Sequence, residues 1–158
     1  MSLAYKELLP TEAFKMWEDF CEDLGFEHIR QTYGRYWPRK PVEGERVWAV
    51  YNGDERVGWC SLRLDPVDPF TWFVEGIFSQ SRGHGYSKEI MLWALQTSKD
   101  IWGVDTMLYE ISNHALLYTY IQYHVKRLFE QRIPGEFAVG YISEPSPGYT
   151  LFGIRRVI

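Results

Sequence analysis

A central twisted, mixed β-sheet with helices on both faces, an α/β arrangement of the α+β mixed kind, is the fold this sequence predicts. Three observations carry it. Two strand-like runs rich in Val, Trp and Leu are joined through Asn52-Gly53; a strand, a glycine turn and a helix follow one another between Phe70 and Lys99; and two more strand-like runs close the chain after Phe137. Hairpin-linked strands pair antiparallel, whereas a strand–helix–strand unit pairs parallel, so one sheet holding both is mixed and takes helices on its faces.

The elements follow in order. Leu3 to Leu9 reads as a short strand closed by Pro10. Thr11 can cap a helix, since its hydroxyl can accept from an orphan amide one turn in. Phe14, Trp17, Phe20, Cys21 and Leu24 then recur at steps of three and four, the period of an amphipathic helix, and Gly25 ends it. A second short helix and a loop broken by Pro38 and Pro41 fill residues 26–45. Arg46 to Tyr51 and Arg56 to Leu64 form the hairpin, because Asn-Gly favours the left-handed angles of a tight turn. Asp65, Pro66, Asp68 and Pro69 break the chain before the strand Phe70 to Phe78, in which Trp72, Val74 and Gly76 alternate with Phe73, Glu75 and Ile77. Ser87 to Lys99 is helical, with Ile90, Trp93, Ala94 and Thr97 on one face. Thr106 to Ser112 is a strand, and Asn113 can cap a helix running through Tyr120 to about Tyr123 and onward to about Gln131. Phe137 to Ile142 and Tyr149 to Ile158 form the final antiparallel pair.

Composition narrows the function. The 158 residues, 46% of them apolar, are read as one domain over residues 1–158, with enough core to exclude a disordered chain. Net charge is −4, which argues against nucleic-acid binding as the main role. Cys21 and Cys60 stand far apart without a metal or redox spacing, which points to a reducing, cytoplasmic setting. No apolar run approaches the roughly 18 residues of a membrane span, and no signal-peptide pattern opens the chain. His28, His84, His114 and His124 lack metal-ligand spacing, so no metal is expected.

The chemistry concentrates at Arg82-Gly83-His84-Gly85-Tyr86-Ser87, where a strand passes through a glycine turn into a helix. Glycines let backbone amides turn inward without a Cβ clash, and a helix N-terminus adds unsatisfied N–H groups and partial positive charge. A diphosphate is the natural guest.

This arrangement resembles the GNAT superfamily of N-acetyltransferases, whose signature is Gln/Arg-x-x-Gly-x-Gly/Ala between a strand and the following helix. Arg82 to Ser87 matches with Ser87 in the last place; a second register, Gln80-Ser81-Arg82-Gly83-His84-Gly85, matches every letter. The first register puts Ile77 at the strand end, five residues before the Arg, as the family's Val-x-Pro-x-x-Arg-Gly spacing requires. The resemblance covers roughly residues 46–124. It implies an acyl-CoA N-acyltransferase-like fold and acetyl-CoA as cofactor, with Arg82, Gly83, His84, Gly85, Tyr86 and Ser87 at the pyrophosphate and the backbone of Ile77 and Phe78 at the pantetheine arm. It also implies that Asn113 contacts the cofactor and that Tyr120, seven residues on, protonates the departing thiolate; Tyr118 and Tyr123 are rivals. The family's Gly-Phe after this helix is replaced by His124-Val125.

Acetyl transfer to a primary amine is the expected reaction, the acceptor being a small molecule or a peptide. Glu75, on the strand leading to the turn, is the candidate general base. A GNAT-like module without catalysis, serving for binding or structure, is the alternative, and a homodimer is compatible with either. The segment Tyr33-Gly34-Arg35-Tyr36-Trp37-Pro38-Arg39-Lys40 mixes bases and aromatics as single-stranded nucleic-acid sites do, but it equally suits an acceptor-selecting loop or a solvated one. Cys60, in a strand without a catalytic partner, reads as a packing residue.

Overall fold

The computed structural model of the chain describes residues 2–112, 126–133, 135–146 and 149–157. Seven strands form one sheet in the order β1-β2-β3-β4-β5-β7-β6, with β1 Ala4–Leu8, β2 Arg46–Asn52, β3 Glu55–Leu64, β4 Thr71–Ile77, β5 Thr106–Ser112, β6 Phe137–Ser146 and β7 Tyr149–Arg156. The β1/β2, β2/β3, β5/β7 and β6/β7 pairs are antiparallel, whereas β4 and β5 run parallel, in register at Thr71 with Met107 and Trp72 with Leu108. The sheet is therefore mixed. Among the described residues the helices are α1 Pro10–Leu24, α2 Phe26–Tyr33, α3 Tyr86–Trp102 and α4 Lys126–Arg132, with a 3₁₀ turn at Ser79–Ser81. Helix α4 includes Gln131, to which the sequence extends a helix from Asn113; the expected course from Asn113 to Tyr123 lies outside the described residues.

The chain divides into two compact units, residues 1–63 with 75–90 and residues 64–74 with 91–158. The first is built on aromatics. Trp17 and Phe20 of α1, Tyr33 of α2, Trp37, Trp59 of β3 and Phe78 pack with ring centroids 4.6–5.9 Å apart, the edge-to-face and tilted range in which aromatic pairs attract. The buried stripe of α1 is Ala13, Met16, Trp17, Phe20 and Cys21; Phe14 and Leu24 flank it, half exposed. Gly76 of β4 faces this cluster so closely that a Cβ there would come within 2.5 Å of Phe20 Cζ and Trp59 Nε1. Its neighbour Glu75 meets Ser87 in the first turn of α3. Side chains alternate faces along a strand, so α1 and the start of α3 lie on opposite faces of the sheet.

In the second unit, Phe73, Met91, Leu92, Leu95, Met107 and Tyr109 are buried, as are Phe129, Phe137 and Ile154. The Thr71 and Ser98 hydroxyls pair at 2.9 Å inside this core. The buried side of α3 includes Ile90, Met91, Ala94, Leu95 and Ser98; Trp93 and Thr97 sit at its margin, half buried. The buried face is thus wider than one drawn through Ile90, Trp93, Ala94 and Thr97.

Two local expectations are corrected. Helix α1 begins at Pro10, one residue ahead of Thr11, with Leu9 as its cap residue. Proline suits the first helical position, where its missing N–H would be an orphan anyway, and Glu12 reaches back to the Leu9 amide at 2.9 Å. The hairpin turn is Gly53-Asp54, since Asn52 pairs with Glu55 inside the ladder. Gly53 takes a left-handed φ of 62° and no non-glycine residue does among those described. One glycine at the first turn position meets the demand of a type II′ turn, so Asn52 stays extended.

Candidate active site

The cradle forms where β4 ends. After Ile77 the 3₁₀ turn and the exposed residues Arg82, Gly83, His84 and Gly85 lead into α3 at Tyr86. Gly83 and Gly85 have φ of 83° and 78°, left-handed values that L side chains rarely adopt, and nothing lies within 4 Å of where either Cβ would point. Both glycines thus face open space at the N-terminus of a 17-residue helix, where first-turn amides have no helical acceptor and the dipole favours an anion. A helix N-terminus preceded by such a turn is a general anion-binding arrangement. Arg82 stands exposed at its entrance.

Five side-chain bonds hold the cradle. Asp23, at the end of α1, accepts from the Ser79 amide at 2.8 Å and from its hydroxyl at 2.7 Å. Ser81 Oγ donates to Glu55 Oε1 at 3.2 Å, and Asn52 Nδ2 donates to the Tyr86 hydroxyl at 2.9 Å. Ser87 Oγ donates to Glu75 Oε1 at 2.8 Å. The sequence reading missed Asp23, Asn52 and Glu55. Their partners lie 26–56 residues away, a separation at which no local pattern links them.

Glu75 sits on β4 beneath this turn. Its Oε2 is enclosed and has no partner among the described residues. Burial is the largest influence on its carboxyl and pushes its pKa above the ordinary range; the Ser87 hydrogen bond and the charge of Arg82 oppose that rise. The Glu75 carbonyl accepts from Tyr33 Oη at 2.7 Å. Cys60 is buried and its thiol is driven well upward, first by burial and then by the Glu75 charge, so it is a packing residue.

At the strand end the two expected backbone contacts separate. The Phe78 amide donates to Val57 O at 3.0 Å, so it is committed to β3. Backbone groups of successive strand residues point to opposite edges, which leaves the amide and carbonyl of Ile77 on the other edge of β4. Asn113, Tyr118, Tyr120 and Tyr123 lie outside the described residues.

The basic-aromatic segment is divided, with Tyr33, Trp37 and Arg39 turned inward and Arg35, Tyr36 and Lys40 exposed. Tyr33 and Trp37 belong to the aromatic core. The Arg39 guanidinium lies 4.9 Å from the ring centroids of both Trp17 and Trp37 and binds Glu45 through two bonds of 2.6 and 3.0 Å. Burial would raise the Glu45 carboxyl, but the Arg39 bonds and charge hold it below its ordinary value. Arg35 lies over the ring of Tyr36 at the surface. Among the described residues, no helix is long and apolar enough to cross a membrane.

The sequence model of the acetyltransferase (GNAT) family matches residues 10–123. No curated protein sequence matches the chain. Among solved structures, a Bacillus subtilis acetyltransferase in complex with CoA is 15% identical with a TM-score of 0.60, the match covering 99% of this chain and 100% of that one. A spermidine N-acetyltransferase chimera from Vibrio cholerae and hSSAT is 14% identical with a TM-score of 0.63, covering 98% and 96%. A dodecameric spermidine N-acetyltransferase from Vibrio cholerae is 12% identical with a TM-score of 0.58, covering 96% and 91%. At such identities the likeness is one of fold.

Proposed function

The chain belongs to the acetyltransferase (GNAT) family, an acyl-CoA-dependent class of enzyme that transfers acetyl to an amine, and from that premise we propose a site-by-site reading of the reaction. The observation that carries it is the pair of left-handed glycines, Gly83 and Gly85, open at the N-terminus of α3. The amides of Gly83, His84, Gly85, Tyr86 and Ser87 would hold the cofactor diphosphate, with Arg82 adding charge. Ile77 would offer its free strand edge to the pantetheine arm, and Asn113 would add a hydrogen bond. Acetyl-CoA, bound there, supplies an acetyl group activated as a thioester.

The remaining roles concern protons. Tyr120 is the proposed acid, its phenol giving up a proton to the departing sulfur. Glu75 is the proposed base. Burial raises its pKa, which makes the carboxylate a stronger proton acceptor, and the Ser87 hydroxyl on Oε1 links the enclosed carboxyl to the cradle. Residues 1–158 are read as one catalytic domain acting on a primary amine of a small molecule or a peptide. Spermidine, the substrate named for two structural neighbours, is the first amine to try.

Thermal unfolding with acetyl-CoA or free CoA, against ATP as control, tests the cradle. Ligand at a hundredfold excess over its dissociation constant adds about 2.7 kcal/mol, or about 5–10 °C for a chain of this length. Gly85→Glu, which puts a carboxylate on the phosphate path and a side chain at a left-handed position, should abolish that shift. No shift with either CoA form at millimolar concentration would remove the cofactor from this site.

A further inference from the structure

The cradle loop has little of its own to hold its shape: two of its four residues are glycines, all four are exposed, and the His84 ring lies 5.6 Å from that of Tyr86. Its ends, however, are gripped by one pair of residues. Asn52 and Glu55 are the terminal pair of the β2/β3 ladder, facing each other across the Gly53-Asp54 turn. Glu55 accepts from Ser81 Oγ, the residue just before the loop, at 3.2 Å. Asn52 donates to Tyr86 Oη, the residue just after it, at 2.9 Å. Ser81 and Tyr86 are both buried, at 2% and 8% exposure, so each end is fixed by packing as well as by its bond.

We propose that Asn52 and Glu55 are positioning residues for the cofactor: the hairpin end brackets residues 82–85 and sets the distance and direction between the 3₁₀ turn and the first turn of α3. A rung of an antiparallel ladder is a stiff spacer, since its Cα atoms sit about 4.5–5.5 Å apart whatever the surrounding loops do. Tied at both ends to such a spacer, a glycine-rich loop loses most of the freedom it would otherwise surrender on binding, and affinity rises accordingly. The side chains do not touch the ligand. Asn52 acts through the Tyr86 ring, and Glu55 acts through Ser81. The inference rests on the reading of residues 82–87 as the diphosphate site.

Asn52→Ala and Tyr86→Phe each delete one partner of the bond, and the second alters a single oxygen atom. Calorimetric titration with coenzyme A should show each variant binding about 3- to 10-fold more weakly, the range expected for one net hydrogen bond. The double variant should be no weaker than either single one, because both act through the same contact. Pantetheine, which carries no diphosphate, should bind all four proteins equally, which separates positioning of the cradle from general loosening of the fold. Ser81→Ala tests the other end with the same readout. Wild-type affinity for coenzyme A in both single variants, or effects that simply add, or equal losses for pantetheine, would overturn the bracket while leaving the cradle intact. Failure of the wild-type protein to bind coenzyme A at all would instead remove the diphosphate reading and the bracket with it.

Discussion

Glu75 brings several requirements onto one side chain. Its carboxyl is enclosed, hydrogen bonded on one oxygen, and raised in pKa chiefly by burial. A group whose folded pKa is raised binds its proton more tightly in the folded state, so the stability linked to it is present at low pH and lost as pH rises through the folded value. Two outcomes follow for Glu75→Gln. The variant should gain thermal stability relative to wild type at pH 8 but not at pH 4, since an amide never pays the cost of an enclosed charge. If Glu75 is the base, the variant should also lose about 100-fold or more in kcat, together with the fall in rate on the acid side of the pH profile. A variant that keeps both the rate and the acid limb would confine Glu75 to holding the first turn of α3.

At the scale of the element, β4 is limited by how closely its neighbours approach. A Cβ on Gly76 would meet Phe20 Cζ and Trp59 Nε1 at 2.5 Å and Trp59 Cε2 at 2.8 Å, and one on Gly58 would meet the Gly76 carbonyl at 2.5 Å. Neither aromatic ring can yield easily, because Phe20 and Trp59 are fully buried and pack against each other. Gly76→Ala should therefore cost about 2 kcal/mol and lower the melting temperature by about 4–8 °C. An unchanged melting temperature would show that the cluster repacks around a methyl group. Because Gly76 and Glu75 point to opposite faces, the same strand serves the aromatic core with one residue and the cradle with the next.

On the scale of the whole molecule, the hairpin, β4 beyond Val74 and the first turn of α3 belong to one unit, while β5, α4, β6 and β7 belong to the other. The cradle and every side chain that braces it, Asp23, Asn52, Glu55 and Glu75, lie in the first. Saturating coenzyme A should accordingly slow amide hydrogen exchange most at residues 83–88, and this protection should vanish in Gly85→Glu. Protection that appears only in residues 126–133 and 135–146 would place the ligand elsewhere.

Much of this was legible in the chain itself. Strand β5 falls on Thr106–Ser112 as its composition predicts, the hairpin and the strand–turn–helix unit follow from local pattern, and the glycines of the cradle announce their left-handed angles because no other residue adopts them cheaply. Such features depend on neighbours within a few residues, and sequence records those directly. The tertiary structure alone decided that β7 lies between β5 and β6, that Arg39 packs against both Trp17 and Trp37 rather than being left for a polyanion, and that Asn52 and Glu55 grip the two ends of the cradle. Each of these joins residues distant in the chain, and which of many possible partners they meet is set by packing of the whole rather than by any local preference.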